Sequence, residues 1–153
     1  MSTTTATVTD MLNSTLEAMT TVIPVQVQRN APSLVEHSFV QPDAGVVIGI
    51  TGELPGRLIL NAHQATFANI AQILYGMALE GDILESFIGE VGNMVAGNAV
   101  TELATKGIKV SISPPTVLVG ETKITGFTRG ILVPLELNDV GPIQVVLIID
   151  EVE

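Results

Sequence analysis

Three polar residues at helical spacing, Ser86, Glu90 and Asn93, are the first candidates for chemistry in this sequence. Residues three or four positions apart are neighbours on a helix surface, so Glu90 and Asn93 present a negative charge beside a neutral hydrogen-bonding group. A carboxamide is a poor base, and its chemical use is to orient another group. By itself the spacing also fits ordinary solvated helix residues, so the interpretation depends on the surrounding sequence.

The segment from Asp82 to Gly107 has the pattern of one long helix that would carry these residues. Asp82 and Glu85 are spaced for a capping box at its start, and Lys106 followed by Gly107 is typical of a helix end. At about 100° per residue, one side of this helix is broadly apolar and the opposite side is small and polar. The apolar positions are Leu84, Phe87, Ile88, Val91, Met94 and Val95, and the polar positions are Ser86, Glu90, Asn93 and Gly97.

Three glycines, Gly89, Gly92 and Gly97, interrupt the same helix. Each costs about 1 kcal/mol relative to alanine in a helix interior. This cost indicates that something must approach the helix backbone closely, which suggests a docking surface. We therefore predict that Ser86 and Gly97 contact a partner.

The motif Ser86-x3-Glu90-x2-Asn93, followed by Ala96-Gly97-Asn98 and by the segment ISPPTV at residues 112–117, resembles the CheC/CheX/FliY family of chemotaxis phosphatases. The single motif helix and the short chain most resemble CheX. Members of this family dephosphorylate the phospho-aspartate of the response regulator CheY, so the resemblance implies a phosphatase in chemotaxis or two-component signalling. The proline of the family pattern stands one residue further from the asparagine than Pro115 does here, and neither Pro114 nor Pro115 is assigned a role.

The resemblance also implies how the chemistry is shared with a phosphorylated receiver domain. Phosphoryl transfer needs its charge neutralised and its attacking water aligned, and the polar face around Glu90 carries no cation. The receiver is expected to bring the Mg²⁺, a lysine and the acyl phosphate, and this chain is expected to need no cofactor of its own. Asn93 would then align the water, and Glu90 would pair with the receiver's lysine, making these two the catalytic residues.

The alternative is a non-catalytic module of the same family that binds receivers or a component of the flagellar switch. The presence of both Glu90 and Asn93 argues against this alternative. An unrelated acidic α+β scaffold would require the motif and the Pro-Pro-Thr-Val segment to match by chance.

The composition of the chain argues against several other classes of partner. Six Lys and Arg against 16 Asp and Glu give a net charge of −10, which repels nucleic acid and anionic lipid. There is no cysteine, which excludes disulfides and thiolate metal sites. The first ten residues lack the pattern of a signal peptide, and no segment approaches the roughly 18 unbroken apolar residues of a membrane span, so we predict a cytoplasmic protein.

The remaining pattern predicts a single α+β domain over residues 1–153, with residues 1–7 frayed. A first helix is expected from about Val8 to near Pro24, and a second from an Asn61 cap to around Gly76. Short β-branched segments are expected to form a largely antiparallel, CheC-like sheet with the long helices on one face. They are Val25–Arg29, Leu34–Val40, Gly45–Thr51, Gly56–Leu60, Lys109–Ser113, Thr116–Val119, Gly130–Leu137 and Ile143–Ile149.

The first helix contains a partial copy of the motif spacing, Asn13-x3-Glu17-x2-Thr20. Two of its three residue types differ from the motif, and Thr20 lacks a carboxamide. We interpret this copy as degenerate and structural.

A homodimer is also predicted. Short strands rich in Val and Ile, in a chain of modest size, would expose unpaired backbone groups at a sheet edge, which a second copy could satisfy. The resemblance to CheX implies the same oligomeric state.

Overall fold

The computed structural model describes residues 2–150, and side chains from residue 7 onward. Within this range the chain forms three helices and ten strands. In chain order they are α1 (Ser2–Val22), β1 (Val27–Arg29), β2 (Ser33–Glu36), β3 (Phe39–Gln41), β4 (Ala44–Gly52), β5 (Gly56–Ala62), α2 (Gln64–Tyr75), α3 (Gly81–Thr105), β6 (Val110–Ile112), β7 (Thr116–Val119), β8 (Thr122–Ile124), β9 (Arg129–Leu137) and β10 (Gly141–Ile149).

Eight of the strands form one sheet in the order β1-β9-β10-β5-β4-β6, with β2 also paired to β9 and β7 also paired to β4. Strands β3 and β8 form a separate two-stranded ribbon. Every pairing is antiparallel. The central strands β4, β5, β9 and β10 are the long ones, and short strands occupy both edges.

The sheet is covered on both faces, and side-chain alternation along its strands fills two cores. Leu58 and Leu60 of β5 belong to a large core shared with α1, α2 and α3. Ile59, between them, belongs to a small core with Ile124 of β8 and Val146 of β10. Successive residues of a strand point to opposite faces, so the helices cover one face and the β3–β8 ribbon covers the other. This arrangement confirms the predicted α+β class with helices on one face of an antiparallel sheet.

Several predicted boundaries were wrong. Helix α1 already begins at Ser2, inside the segment predicted to be frayed, whereas Met1 lies outside the described residues. The predicted strand at residues 34–40 is split into β2 and β3 at His37, which has a positive φ of 66°. Strand β8 was missed. No helix within residues 2–150 has both the length and the apolar character needed to span a bilayer.

Helix α2 is capped from a distant part of the chain. Asn61, the predicted cap, is instead a buried residue of β5, and α2 starts at Gln64. The backbone N–H of Gln64 donates to the carboxylate of Asp43 at 2.7 Å, and the Gln64 side chain donates to the same carboxylate at 3.1 Å. These bonds lower the pKa of Asp43. Asp43 therefore satisfies an N-terminal donor of α2 in place of the predicted local cap.

Helix α3 ends as predicted but begins differently. Gly107 has a φ of 80°, its N–H donates to Ala104 O at 3.1 Å, and the N–H of Ile108 donates to Leu103 O at 3.1 Å. This is the Schellman geometry, which satisfies the last carbonyls of the helix. At the start, the N-cap residue Glu80 makes no side-chain capping bond to the described residues, and the predicted capping box is wrong because Asp82 lies within the first turn. There its carboxylate still faces the positive end of the helix dipole.

Candidate functional site

Two glycines hold α3 close to the sheet. A Cβ on Gly89 would lie 3.1 Å from Val117 Cγ2 and 3.7 Å from Pro115 Cγ, and a Cβ on Gly92 would lie 2.6 Å from Val46 Cγ1. At these two positions, the group that approaches the helix backbone closely therefore belongs to the protein's own sheet and not to a partner. It fixes the helix that carries the candidate residues on strands β4 and β7.

The opposite side of α3 brings together the four residues that the sequence singled out. Ser86, Glu90 and Asn93 are exposed and Gly97 is half-buried. Within residues 7–150, the side chains of Ser86, Glu90 and Asn93 make no hydrogen bond or ion pair. Among the described residues, no atom lies within 4 Å of the position a Gly97 Cβ would take. This surface of α3 therefore presents a carboxylate and a carboxamide that are free to bind another molecule.

The two prolines after α3 differ in their placement. Pro115 is half-buried and packs on α3 at Gly89, one residue before Glu90, whereas Pro114 is exposed. The segment is fixed to the sheet by Ser113, whose hydroxyl accepts a hydrogen bond from the backbone N–H of Gly49 at 2.9 Å. Pro115 is therefore the proline that supports the helix beside the candidate site.

A groove of about 460 Å³ lies between α1 and α3 and reaches Asn93 at one end. Its polar side chains are mostly turned back onto their own helix. Asn98 Nδ2 donates to Met94 O at 2.9 Å, and the hydroxyl of Thr101 donates to Gly97 O at 2.9 Å. The Asn93 amide differs from that of Asn98 because it has no hydrogen-bond partner among residues 7–150. The residues lining the groove are Ala18, Thr21, Asn93, Met94, Gly97, Asn98, Thr101, Glu102 and Thr105.

The α1 copy of the motif spacing lies across this groove. The nearby carboxyl group of Glu17 raises the pKa of Glu102. The hydroxyl of Thr20 donates to Glu17 O at 2.7 Å. Further along, Lys106 Nζ lies 3.9 Å from Asp10 Oδ1 and joins the same two helices. Glu17 and Thr20 are thus occupied within the protein, in contrast to Glu90 and Asn93.

Sequence reasoning missed one residue of the candidate surface. Ile83 is three positions before Ser86 and therefore continues the same row of α3, yet its side chain is 65% exposed. The sequence did contain a signal that could have identified Ile83, which is an isoleucine on the otherwise polar side of the predicted helix.

Comparison with known proteins gives one consistent family. The family model of the chemotaxis phosphatase CheX matches residues 44–127, a range that includes Glu90, Asn93 and Pro115. The CheY-P phosphatase CheX of Thermotoga maritima is 32% identical over 133 residues, which cover 84% of each chain.

Solved structures show the same fold. A CheC-like superfamily protein from Shewanella sp. PV-4 superimposes with a TM-score of 0.80 at 21% identity, covering 93% of this chain and 98% of that one. A chain of the CheX-CheY-BeF3-Mg²⁺ complex from Borrelia burgdorferi superimposes with a TM-score of 0.75 at 24% identity, covering 94% of this chain and 97% of that one.

Proposed function

Because this chain belongs to the chemotaxis phosphatase CheX family, we propose that it hydrolyses the aspartyl phosphate of a CheY-like receiver domain. The observation that carries the proposal is the pair Glu90 and Asn93, which are exposed and have no partner among residues 7–150, on a helix fixed to the sheet by Gly89 and Gly92. The relative from Thermotoga maritima is named a CheY-P phosphatase, and the Borrelia burgdorferi structure contains CheX together with CheY.

The reaction transfers a phosphoryl group to water. The water oxygen bonds to phosphorus, the bond between phosphorus and the aspartyl oxygen breaks, and the products are inorganic phosphate and the free carboxylate. The loose transition state spreads negative charge over the phosphoryl oxygens. A chain with a net charge of −10 and a glutamate at the site does not neutralise that charge. We propose, as the resemblance to the family implies, that the receiver supplies the Mg²⁺ and the lysine together with the acyl phosphate.

Asn93 is proposed to align the attacking water. Its carboxamide oxygen accepts a hydrogen bond from the water and its amide can donate another, so the water is held in line with the bond that breaks. A neutral amide adds no negative charge beside the phosphoryl group. Asn93 would therefore contribute to the rate of hydrolysis by positioning the water. Such a contribution is large, because a misplacement of about 1 Å can cost on the order of 100-fold in rate.

Glu90 is proposed to pair with the active-site lysine of the receiver. It is three residues before Asn93, so the two side chains start about 5–6 Å apart and can reach the same phosphoryl group. Docking would remove water from the ion pair and strengthen it. Ser86 and Gly97 flank the pair along the helix, and the absence of a side chain at Gly97 leaves room for the receiver backbone.

The experiment measures both receiver binding and phosphate release for the wild type and Glu90→Ala. Truncating one partner of a desolvated ion pair costs about 2–5 kcal/mol, so the Kd for the activated receiver should rise about 30-fold or more. Glu85→Ala is the matched control, because Glu85 is an exposed glutamate on the same helix outside the row that carries Glu90. Unchanged binding by Glu90→Ala would remove Glu90 from the interface.

Phosphate release by the wild type decides between the enzyme and the alternative of a non-catalytic module that binds receivers or the flagellar switch. Binding without turnover would favour the module. The cytoplasmic location predicted from the sequence remains part of this proposal.

A further inference from the structure

Exposed apolar side chains are concentrated near one end of α3. Of seven large apolar side chains exposed among the described residues, four lie at the end of α2 and the start of α3. They are Ile73, Tyr75, Met77 and Ile83, which are 41%, 55%, 57% and 65% exposed. Single exposed apolar residues are normal on a protein surface, whereas a concentration with a polar rim marks an interaction site.

This patch is continuous with the proposed catalytic surface. Ile83, Ser86, Glu90 and Asn93 follow one another at spacings of three or four residues, so they form one row on α3. Ile83 lies seven residues before Glu90, which places it about 10 Å away along the helix axis. A protein that covers Glu90 and Asn93 would therefore also cover Ile83.

Tyr75 is fixed beside this row by an aromatic contact. Its ring centroid lies 5.4 Å from that of Phe87, at an interplanar angle of 71°, which is the edge-to-face geometry that aromatic pairs favour. Phe87 is buried and lies one helical turn after Ile83. Tyr75, the only tyrosine of the chain, is thus held with much of its side chain exposed to solvent.

We propose that Ile83 and Tyr75, flanked by Met77, form an apolar anchor for the receiver domain that docks on Glu90 and Asn93. This inference rests on the proposed function and extends its binding surface. A few buried anchor residues, among which tyrosine is common, supply most of the binding energy in protein interfaces, and the contacts around them exclude water. The anchor would thereby lower the dielectric around Glu90 and its partner lysine.

The charges around the anchor indicate the chemistry of the receiver surface that fits it. Glu80 and Asp82 are exposed around the start of α3, and no Lys or Arg occurs between Arg57 and Lys106. The complementary surface is an apolar centre with a basic rim, next to the phosphorylated aspartate. Such charge complementarity fixes orientation and speeds association.

The test compares two variants that remove the same number of atoms. Ile83→Ala shortens a side chain of α3 that is 65% exposed, and Leu34→Ala shortens an isomeric side chain of β2 that is 66% exposed. Both are measured for the Kd of a CheY-like receiver activated with beryllofluoride and Mg²⁺, and for phosphate release at saturating receiver. Ile83→Ala should raise the Kd about 10-fold and leave the saturated rate unchanged, and Leu34→Ala should change neither. Tyr75→Ala should act like Ile83→Ala.

Wild-type Kd values in both Ile83→Ala and Tyr75→Ala would overturn the anchor. Light scattering provides a second criterion, because a lower mass for Ile83→Ala with an unchanged Kd would assign the patch to a second copy of this chain and overturn the proposal. The beryllofluoride complex does not turn over, so the Kd result stands whether or not Asn93 positions the water. If the wild type binds no receiver, the anchor and the proposed function both fail.

Discussion

The two glycines Gly92 and Gly97 look alike in the sequence, but the structure predicts opposite effects when each is changed to alanine. In the part of the chain that the structure describes, a Cβ on Gly97 meets no atom within 4 Å. A Cβ on Gly92 meets three side-chain carbons of Val46, at 2.6, 2.8 and 3.2 Å. Unstrained carbon atoms pack at about 3.5–4.0 Å, so α3 or Val46 must move by about 1 Å in the Gly92 variant.

The magnitudes follow from two opposing effects. Alanine is favoured over glycine in a helix interior by about 0.5–1 kcal/mol, and Gly97→Ala should gain this stability. Gly92→Ala makes the same gain but overpacks a core contact, which typically costs 1–3 kcal/mol. Val46 is fully buried and β-branched, so it cannot easily rotate out of the way. We expect a net loss of about 0.5–2 kcal/mol for Gly92→Ala.

The assay is urea unfolding of both variants and the wild type, followed by circular dichroism, with phosphate release measured on the folded proteins. Gly92→Ala should also release phosphate more slowly, because a displaced helix carries Glu90 and Asn93 with it. The reasoning would be refuted if Gly92→Ala were as stable as Gly97→Ala and as active as the wild type.

Two further predictions concern stability and assembly. Asp43→Ala should lower the free energy of unfolding by about 0.5–2 kcal/mol at neutral pH, since it removes the cap of α2. The folded pKa of Asp43 lies below its ordinary value of 3.8, chiefly because Gln64 N–H donates to the carboxylate, so its contribution is full above that value and is lost as the pH falls through the folded pKa. Urea unfolding of wild type and variant from neutral pH to about pH 3 checks this, and a stability difference that did not shrink in acid would contradict it. The homodimer stays a prediction, supported by the exposed Val119 on the short edge strand β7, and a monomeric mass by light scattering at micromolar concentration would count against it.

The features that follow local rules could be predicted from the sequence. The row of Ser86, Glu90 and Asn93 depends only on helical spacing, and the helix end at Gly107 depends on a residue that tolerates positive φ. The long central strands were recognisable from their β-branched residues.

Features that depend on distant residues could not be predicted in this way. The cap of α2 comes from Asp43, 21 positions before Gln64. Strand β8 has only three residues and is defined by its pairing with β3. The different roles of Gly89, Gly92 and Gly97 depend on what packs against each one, because β7 lies beneath Gly89 and β4 lies beneath Gly92, whereas no described residue lies within 4 Å of a Cβ on Gly97. A sequence pattern shows that a glycine is present but not what approaches it.

The central claim is that Asn93 acts on the chemical step by positioning water, and single-turnover dephosphorylation of a labelled receiver by excess enzyme tests it most directly. Asn93→Ala should remain folded, since an exposed helix residue contributes little to the core, and should lose about 100-fold or more in rate while binding the receiver normally. Asn93→Asp should also be impaired, because it places a negative charge beside the phosphoryl group. Asn98→Ala is the matched control on the same helix, and it should keep the wild-type rate. A wild-type rate in folded Asn93→Ala or Asn93→Asp would contradict the water-positioning role and favour the binding module.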